Sequence, residues 1–228
     1  MNIILHPSLN YTELKIGIIH YTKIVVSDSP QMIKGRTRLY QENLFFEMQE
    51  VPVTERQGIK EWRKIWKALG SDPNRYRHSA ESLMRRIAKQ NYLTPIHSAA
   101  DLNNFFSLQY EIPIGIYDLE NISGDVIIEQ GNEETGYVGI NGRYNSLNNI
   151  IVSKDDNGAF GSPFVDSART AVSELTTEAL HIFYLRPSIS ENDGHALLQS
   201  AAKMFTRVNG GDSEVALLTA SNPRVTIS

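Results

Sequence analysis

DLNNFFSLQYEIPIGIYD, residues Asp101–Asp118, joins a helical period to a strand through polar residues. Ser98 stands three residues before Asp101, the spacing at which a hydroxyl and a carboxylate each satisfy an orphan N–H at a helix start. A helix is therefore expected from near Ala99, with Leu102, Phe105 and Phe106 on its apolar face and Asp101, Asn103, Asn104 and Ser107 at the margins. Adjacent asparagines are unusual there, because their amides compete for backbone hydrogen bonds, so the pair reads as serving a ligand or a neighbouring loop. Ile112–Tyr117 alternates apolar residues with Pro113 and Gly115, the pattern of a strand whose proline lies near its start or at an edge. Gly115 lets something approach the backbone closely.

Upstream, Ile59, Trp62, Trp66 and Leu69 recur at helical steps between Thr54, a candidate cap, and Gly70, a stop. The register makes both tryptophans core residues rather than a base-stacking platform. Lys60, Arg63, Lys64 and Lys67 occupy the other side. Ser71-Asp72-Pro73-Asn74 is turn chemistry, and Arg75, Tyr76 and Arg77 follow it. Ser79 is placed to cap a third helix, Ala80–Gln90, with Leu83, Met84 and Ile87 inward and Arg85, Arg86 and Lys89 outward. Residues 54–90 hold ten Lys/Arg against four Asp/Glu, whereas residues 91–228 hold seven against seventeen. A basic patch on an otherwise acidic protein suits a phosphate backbone, since the acidic remainder repels indiscriminate binding. Arg75 and Arg77 have a second reading, in which they pair with carboxylates such as Asp101 or Asp118.

Before these helices, Leu14–Val26 reads as a strand and Met32–Met48 as a helix ended by Pro52. After Asp118 the period turns mostly to strands: Val126–Glu129, Tyr137–Ile140, Asn149–Ser153 and Glu178–Leu185, separated by turn clusters. A helix follows from Ser190 to Gly210-Gly211, then a strand over Glu214–Thr219 and a tail over Ser221–Ser228. The glycines at 136, 139 and 142 are turn residues and not a dinucleotide fingerprint, and Gly158–Pro163 lacks the spacing of a nucleophile elbow, so no cofactor is expected. The chain has no cysteine, and its six histidines show no His-x3-His pairing, so no metal site is expected either. No apolar run approaches the roughly 18–20 residues that span a bilayer. Met1–Leu9 lacks a basic flank and a long apolar centre, and a cytoplasmic protein is inferred.

The run AADLNNFFSLQYEIPIGIYDL (Ala99–Leu119) resembles the signature V-V-D-V-T-N-Y…P…F-D of the editing (B3/B4) domain of the bacterial phenylalanyl-tRNA synthetase β subunit. Trp62–Arg86, WRKIWKALGSDPNRYRHSAESLMRR, looks like free-standing relatives of that domain, as does FVDSARTAV at Phe164–Val172. The resemblance implies an α+β fold, a B3/B4-like domain of mixed β-sheets and packed helices over residues 54–220. Residues 1–53 would be an N-terminal strand–helix extension packed on that core, and residues 221–228 a tail.

The resemblance also implies a function. The family's domain takes tyrosine off a tRNA meant for phenylalanine, so this chain would be a hydrolase removing a wrong amino acid from aminoacyl-tRNA in trans. Its partner would be the aminoacylated 3′ end of tRNA, with no membrane and no DNA sequence specificity. Asn103 stands where the synthetases have threonine, Asn104 matches their asparagine, Gly115 replaces their histidine, and Gly161-Ser162-Pro163 replaces a segment carrying their glutamate. The nearest carboxylate is Asp166. Asp166 and Asn104 are thus the catalytic candidates, with Asn103, Gly115, Ser162 and Arg169 touching substrate in one shared pocket. Lys64, Lys67, Arg75, Arg77, Arg85 and Arg86 are the RNA-binding candidates. An aminoacyl ester is already activated, so a held water, a proton acceptor and donors for the oxyanion suffice. Other readings are a non-catalytic tRNA- or RNA-binding module, in which Asp166 caps a turn beside Ser167, and a small-molecule amino-acid binder. A complete ligase is excluded by length.

Overall fold

The computed structural model describes residues 1–9, 11 and 13–227. Its strands are β1 (Asn2–Leu5), β2 (Lys15–Thr22), β3 (Ile114–Asp118), β4 (Val126–Gln130), β5 (Gly136–Val138) and β6 (Tyr144–Ser146). They continue with β7 (Ile151–Asp155), β8 (Gly158–Gly161), β9 (Ala179–Leu185), β10 (Asp212–Leu218) and β11 (Arg224–Thr226). The helices are α1 (Gln31–Glu50), α2 (Gln57–Ala68), α3 (Ser79–Ile87), α4 (Ser98–Tyr110) and α5 (Glu191–Asn209). One sheet runs β10-β2-β9-β3, antiparallel throughout; a second runs β11-β1-β4-β7-β8, parallel only between β1 and β4; β5 and β6 form a separate hairpin. The fold is α+β.

Strand parity decides which groups meet. Residues directly opposite in an antiparallel pair share a face. Gly17 lies opposite Phe183, and Ile19 and Ile116 lie opposite His181, so these side chains form one face of the four-stranded sheet. Helices α4 and α5 cover it: Phe106 meets the rings of His181 and Phe183, Phe205 stacks on Tyr21 at 4.1 Å, and Leu198 fills the space above Gly17. Gly115, Tyr117 and Tyr184 point the other way, toward the five-stranded sheet, where Tyr117 meets Phe160 at 5.0 Å and the Tyr184 hydroxyl stands 3.4 Å from Ser153. Trp62 and Trp66 are fully buried and pack edge to face at 5.5 Å, with Trp62 Nε1 donating to the Tyr184 carbonyl.

Helix starts differ from the sequence expectation. His97, not Ser98, caps α4, its Nδ1 accepting from Ala100 N, because the Ser98 hydroxyl is drawn 2.5 Å from Asn209 Oδ1 on α5. Asp101 instead accepts from Ile96 N and the Ser29 hydroxyl. His78 rather than Ser79 caps α3, and Thr54 lies within a short 3-10 turn (Val53–Glu55), leaving Arg56 at the cap position of α2 with no side-chain bond to the helix end. Residues 1–53 complete the core from within rather than packing on it as an extension, since β1 and β2 are interior strands of the two sheets. The expected tail supplies the edge strand β11; its last residue, Ser228, lies outside the described residues.

Gly58 marks a tight approach between the start of α2 and the end of α4. Glu111 leaves α4 in the left-handed region (φ 56°), and its carboxylate accepts from Gly58 N and Arg56 Nε. A Cβ at Gly58 would collide with the Glu111 main chain, which cannot rotate aside. Gly58→Ala should therefore destabilise by about 1–3 kcal/mol, read as a lower urea midpoint at constant slope.

Candidate functional site

Residues 162–171 form a strap that bonds along the edge strands of both sheets, β8 and β3, and the hairpin strand β5. Ser162 Oγ accepts from Val165 N and donates to Val165 O, closing a tight turn onto which the Tyr137 hydroxyl also bonds. Beyond it the backbone is pinned by Ile140 N to Asp166 O, Ser167 N to Phe160 O and Asp118 N to Thr170 O. The strap thereby aims Asp166 at β3, where the Tyr117 hydroxyl donates to Oδ1 at 2.6 Å. Gly115 and Gly161 make this possible, because a side chain at either would overlap the Tyr117 hydroxyl; one at Gly115 would also stand 2.8 Å from Asp166 Oδ1. In the sequence Tyr117 stands only at the end of a strand and Gly161 only in the segment that replaces the family's glutamate, and neither is given a part in the site. The i, i+2 spacing of Gly115 and Tyr117 was the available signal, since it puts both on one face of a strand.

Burial pushes the Asp166 carboxyl up to about 7, outweighing the hydrogen bonds from Tyr117 and the Ser162 N–H that favour its charged form. The residue as a whole is half-buried rather than sealed, so proton exchange with water stays open. Tyr117, Tyr137 and Tyr184 are raised by the same burial and remain neutral donors. A carboxyl that titrates near neutrality beside fixed donors can take and return a proton. Among the described residues, no three His, Asp or Glu side chains cluster as metal ligands would.

The other expected residues separate. Asn103 Oδ1 lies 3.1 Å from His181 Nε2, on the helix-covered face of the sheet. Asn104 opens onto a groove of about 480 Å³ between α1, the segment 92–95 and α4. The four-stranded sheet stands between both asparagines and Asp166, so the single pocket expected from Asn103, Asn104, Gly115 and the 162–166 loop does not form. The cause is parity: α4 packs on the face of Ile116, while Gly115 faces away. Ser162 serves the turn, as described. Arg169 is locked bidentate on Asp155 at 2.8 and 3.0 Å, so of its two readings, a substrate contact and a structural salt bridge, the geometry favours the salt bridge.

The basic residues divide in the same manner. Arg63 and Arg85 both bond the buried carboxylate of Glu81: Arg63 ties α2 to α3, and Arg85 is committed to a carboxylate four residues back on its own helix instead of standing free for RNA. Lys64, Lys67, Arg75, Arg77 and Arg86 are exposed. Arg75 pairs with neither Asp101 nor Asp118, whose carboxylates are taken by Ser29 and Thr176. The turn bearing Arg75 and Arg77 is fastened to the strap: Tyr76 meets Phe164 edge-on at 5.5 Å, and Ser79 N donates to Pro163 O at 2.8 Å.

A model of the B3/4 domain matches residues 61–215, from inside α2 to inside β10. The chain belongs to the B3/4 domain family. The "Uncharacterized protein YhzB" of Bacillus subtilis (strain 168) is 34% identical over 206 residues, covering 90% of this chain and 93% of that one. The phenylalanine–tRNA ligase beta subunit of Mycoplasmoides gallisepticum is 26% identical over 125 residues, which are 54% of this chain but 15% of that subunit. Among solved structures, an N-terminal fragment of the phenylalanyl-tRNA synthetase beta-subunit from Pyrococcus horikoshii matches with TM-score 0.39 and 10% identity, covering 52% of this chain and 42% of that one. Among the described residues of this B3/4 chain, no helix is long and apolar enough to cross a membrane.

Within this B3/4 domain the raised Asp166 carboxyl has a consequence for stability. The fold holds its proton up to about pH 7, whereas the unfolded chain releases it near pH 4, so stability drains away as pH rises through that window and is level above it. The buried His78 and His181, each lowered to about 3 mainly by burial, act oppositely, adding stability as pH rises toward 6.5. Comparing wild type with Asp166→Asn cancels the histidines. The variant should gain about 1–3 kcal/mol relative to wild type between pH 5 and pH 8, read from urea midpoints.

Proposed function

We propose that this protein binds the aminoacylated 3′ end of tRNA and hydrolyses a wrong aminoacyl ester in trans, in the cytoplasm, with Asp166 as the proton acceptor. The observation that carries this reading is the attachment of the Arg75–Arg77 turn to the strap that holds Asp166. Cations for the phosphates of an incoming strand thus sit beside a carboxyl that titrates near neutrality. Water would add to the ester carbonyl, its proton passing to Asp166 and then to the departing ribose hydroxyl; the Tyr117 hydroxyl would turn from Asp166 to the developing oxyanion. Family membership and the similarity to a phenylalanine–tRNA ligase subunit support tRNA as the partner. Release of amino acid from a panel of mischarged tRNAs tests the proposal. No release from any of them would refute it.

A second reading, a tRNA-binding module without chemistry, is favoured by one feature: the Tyr117 hydroxyl fills the gap between Gly115 and Gly161 where a substrate would need room. Both readings predict the same electrostatics. Replacing Lys64, Lys67, Arg75, Arg77 and Arg86 with Ala should weaken tRNA binding uniformly and reduce the salt slope by about one unit for each phosphate no longer neutralised. Arg85→Ala, whose guanidinium is committed to Glu81, should leave that slope unchanged.

A further inference from the structure

Helix α1 buries Ile33, Leu44 and Met48 and turns Met32, Leu39 and Phe46 outward, at 69%, 59% and 67% exposure. These three stand seven residues apart, about 10 Å per step along the axis, so they form one apolar line on the solvent side. Gly35 lies beside the line with nothing within 4 Å of where its Cβ would stand, leaving the helix backbone open to close approach.

The charges of α1 are arranged against its own dipole. Lys34, Arg36 and Arg38 lie in the N-terminal half and Glu42, Glu47 and Glu50 in the C-terminal half, with no acid in the first turn and no base in the last. A helix prefers the reverse, with acids at its start and bases at its end. The arrangement is nevertheless complementary to the same helix running in the opposite direction. The ion pairs that these groups make within the chain, Lys34 with Asp28, Arg38 with Glu42 and Arg56 with Glu47, each have a well-exposed partner. Arg36, itself exposed, rests over the Phe105 ring at 5.0 Å with no carboxylate of its own among the described residues, so these charges can re-pair across an interface.

We propose that two copies of this chain pair through α1, antiparallel about a two-fold axis at Leu39. Leu39 meets its own counterpart, Met32 of one copy packs on Phe46 of the other, Arg36 faces Glu42, and Gly35 receives Asn43. Such an interface is self-complementary, as a two-fold dimer requires. It lies wholly outside the residues shared with the B3/4 family model, and α4, against which α1 packs, covers the sheet face opposite Asp166.

The absence of cysteine makes the geometry directly measurable. Under oxidation Leu39→Cys should cross-link to itself. Met32→Cys and Phe46→Cys should each stay uncross-linked alone and cross-link when mixed. The 228-residue chain should sediment as a dimer, and Leu39→Lys, an exposed change that sets two like charges at the axis, should weaken dimerisation at least about 10-fold with unchanged circular dichroism. Arg36→Glu should weaken it too, and adding Glu42→Arg should restore it, an outcome that misfolding cannot mimic. A chain that stays monomeric at about 100 µM, a dimer indifferent to Leu39→Lys, or self-cross-linking of Met32→Cys would each overturn the proposal. So would α1 being covered by a different protein in place of its own copy.

Discussion

Asp166→Asn should lower the release of amino acid from a mischarged tRNA by about 10²-fold or more while leaving tRNA affinity within about twofold. The amide keeps the size of the carboxyl and can still accept from Tyr117, so the strap remains aimed at β3. What disappears is the group that the proposed reaction needs to take the proton of the attacking water. The wild-type rate should rise with pH and level off above about 7, the value to which burial raises this carboxyl, and the variant should lose that inflection. If the variant released amino acid at the wild-type rate and differed only in its stability profile, Asp166 would be a clamp on the strap and the chemistry would have to be sought elsewhere.

Trp66→Ala should cost about 3–5 kcal/mol of folding stability, the range for deleting a fully buried indole. Trp66 touches no solvent, packs against Trp62, and keeps its Nε1 without a hydrogen-bond partner, so its contribution is almost entirely packing. Trp66→Phe should recover much of the loss. At Trp62 the same truncation removes a donor as well and strands the Tyr184 carbonyl, so Trp62→Ala should cost at least as much. Urea unfolding followed by circular dichroism measures both, and a loss below about 1 kcal/mol would mean that the site collapses around the cavity.

The apolar periods were legible because they need only local geometry. Ile59, Trp62, Trp66 and Leu69 identify the inner face of α2, and Ile112–Tyr117 identifies β3 to within two residues. The caps were not legible, because Ser98 has a partner on α5, 111 residues away, that outcompetes its own helix end. Strands β6 and β8 were hidden in segments whose asparagines and glycines read as turns. The site was half visible. Gly115, Ser162 and Asp166 do come together, but which side of β3 would receive α4 depends on how helix and sheet pack, and nothing in DLNNFFSLQYEIPIGIYD states that.

The pairing of β2 with β10 and of β1 with β11 has a consequence for synthesis. Strands β1 and β2 must wait for partners that lie some two hundred residues downstream, so neither sheet is complete until residues 212–226 have emerged from the ribosome. Until then a nascent chain exposes the unpaired edges of β1 and β2, the kind of surface that recruits other strands. A ribosome stalled before residue 212 would hold a product with both sheets open and α5 not yet docked, and such a fragment is a natural client for a holding chaperone.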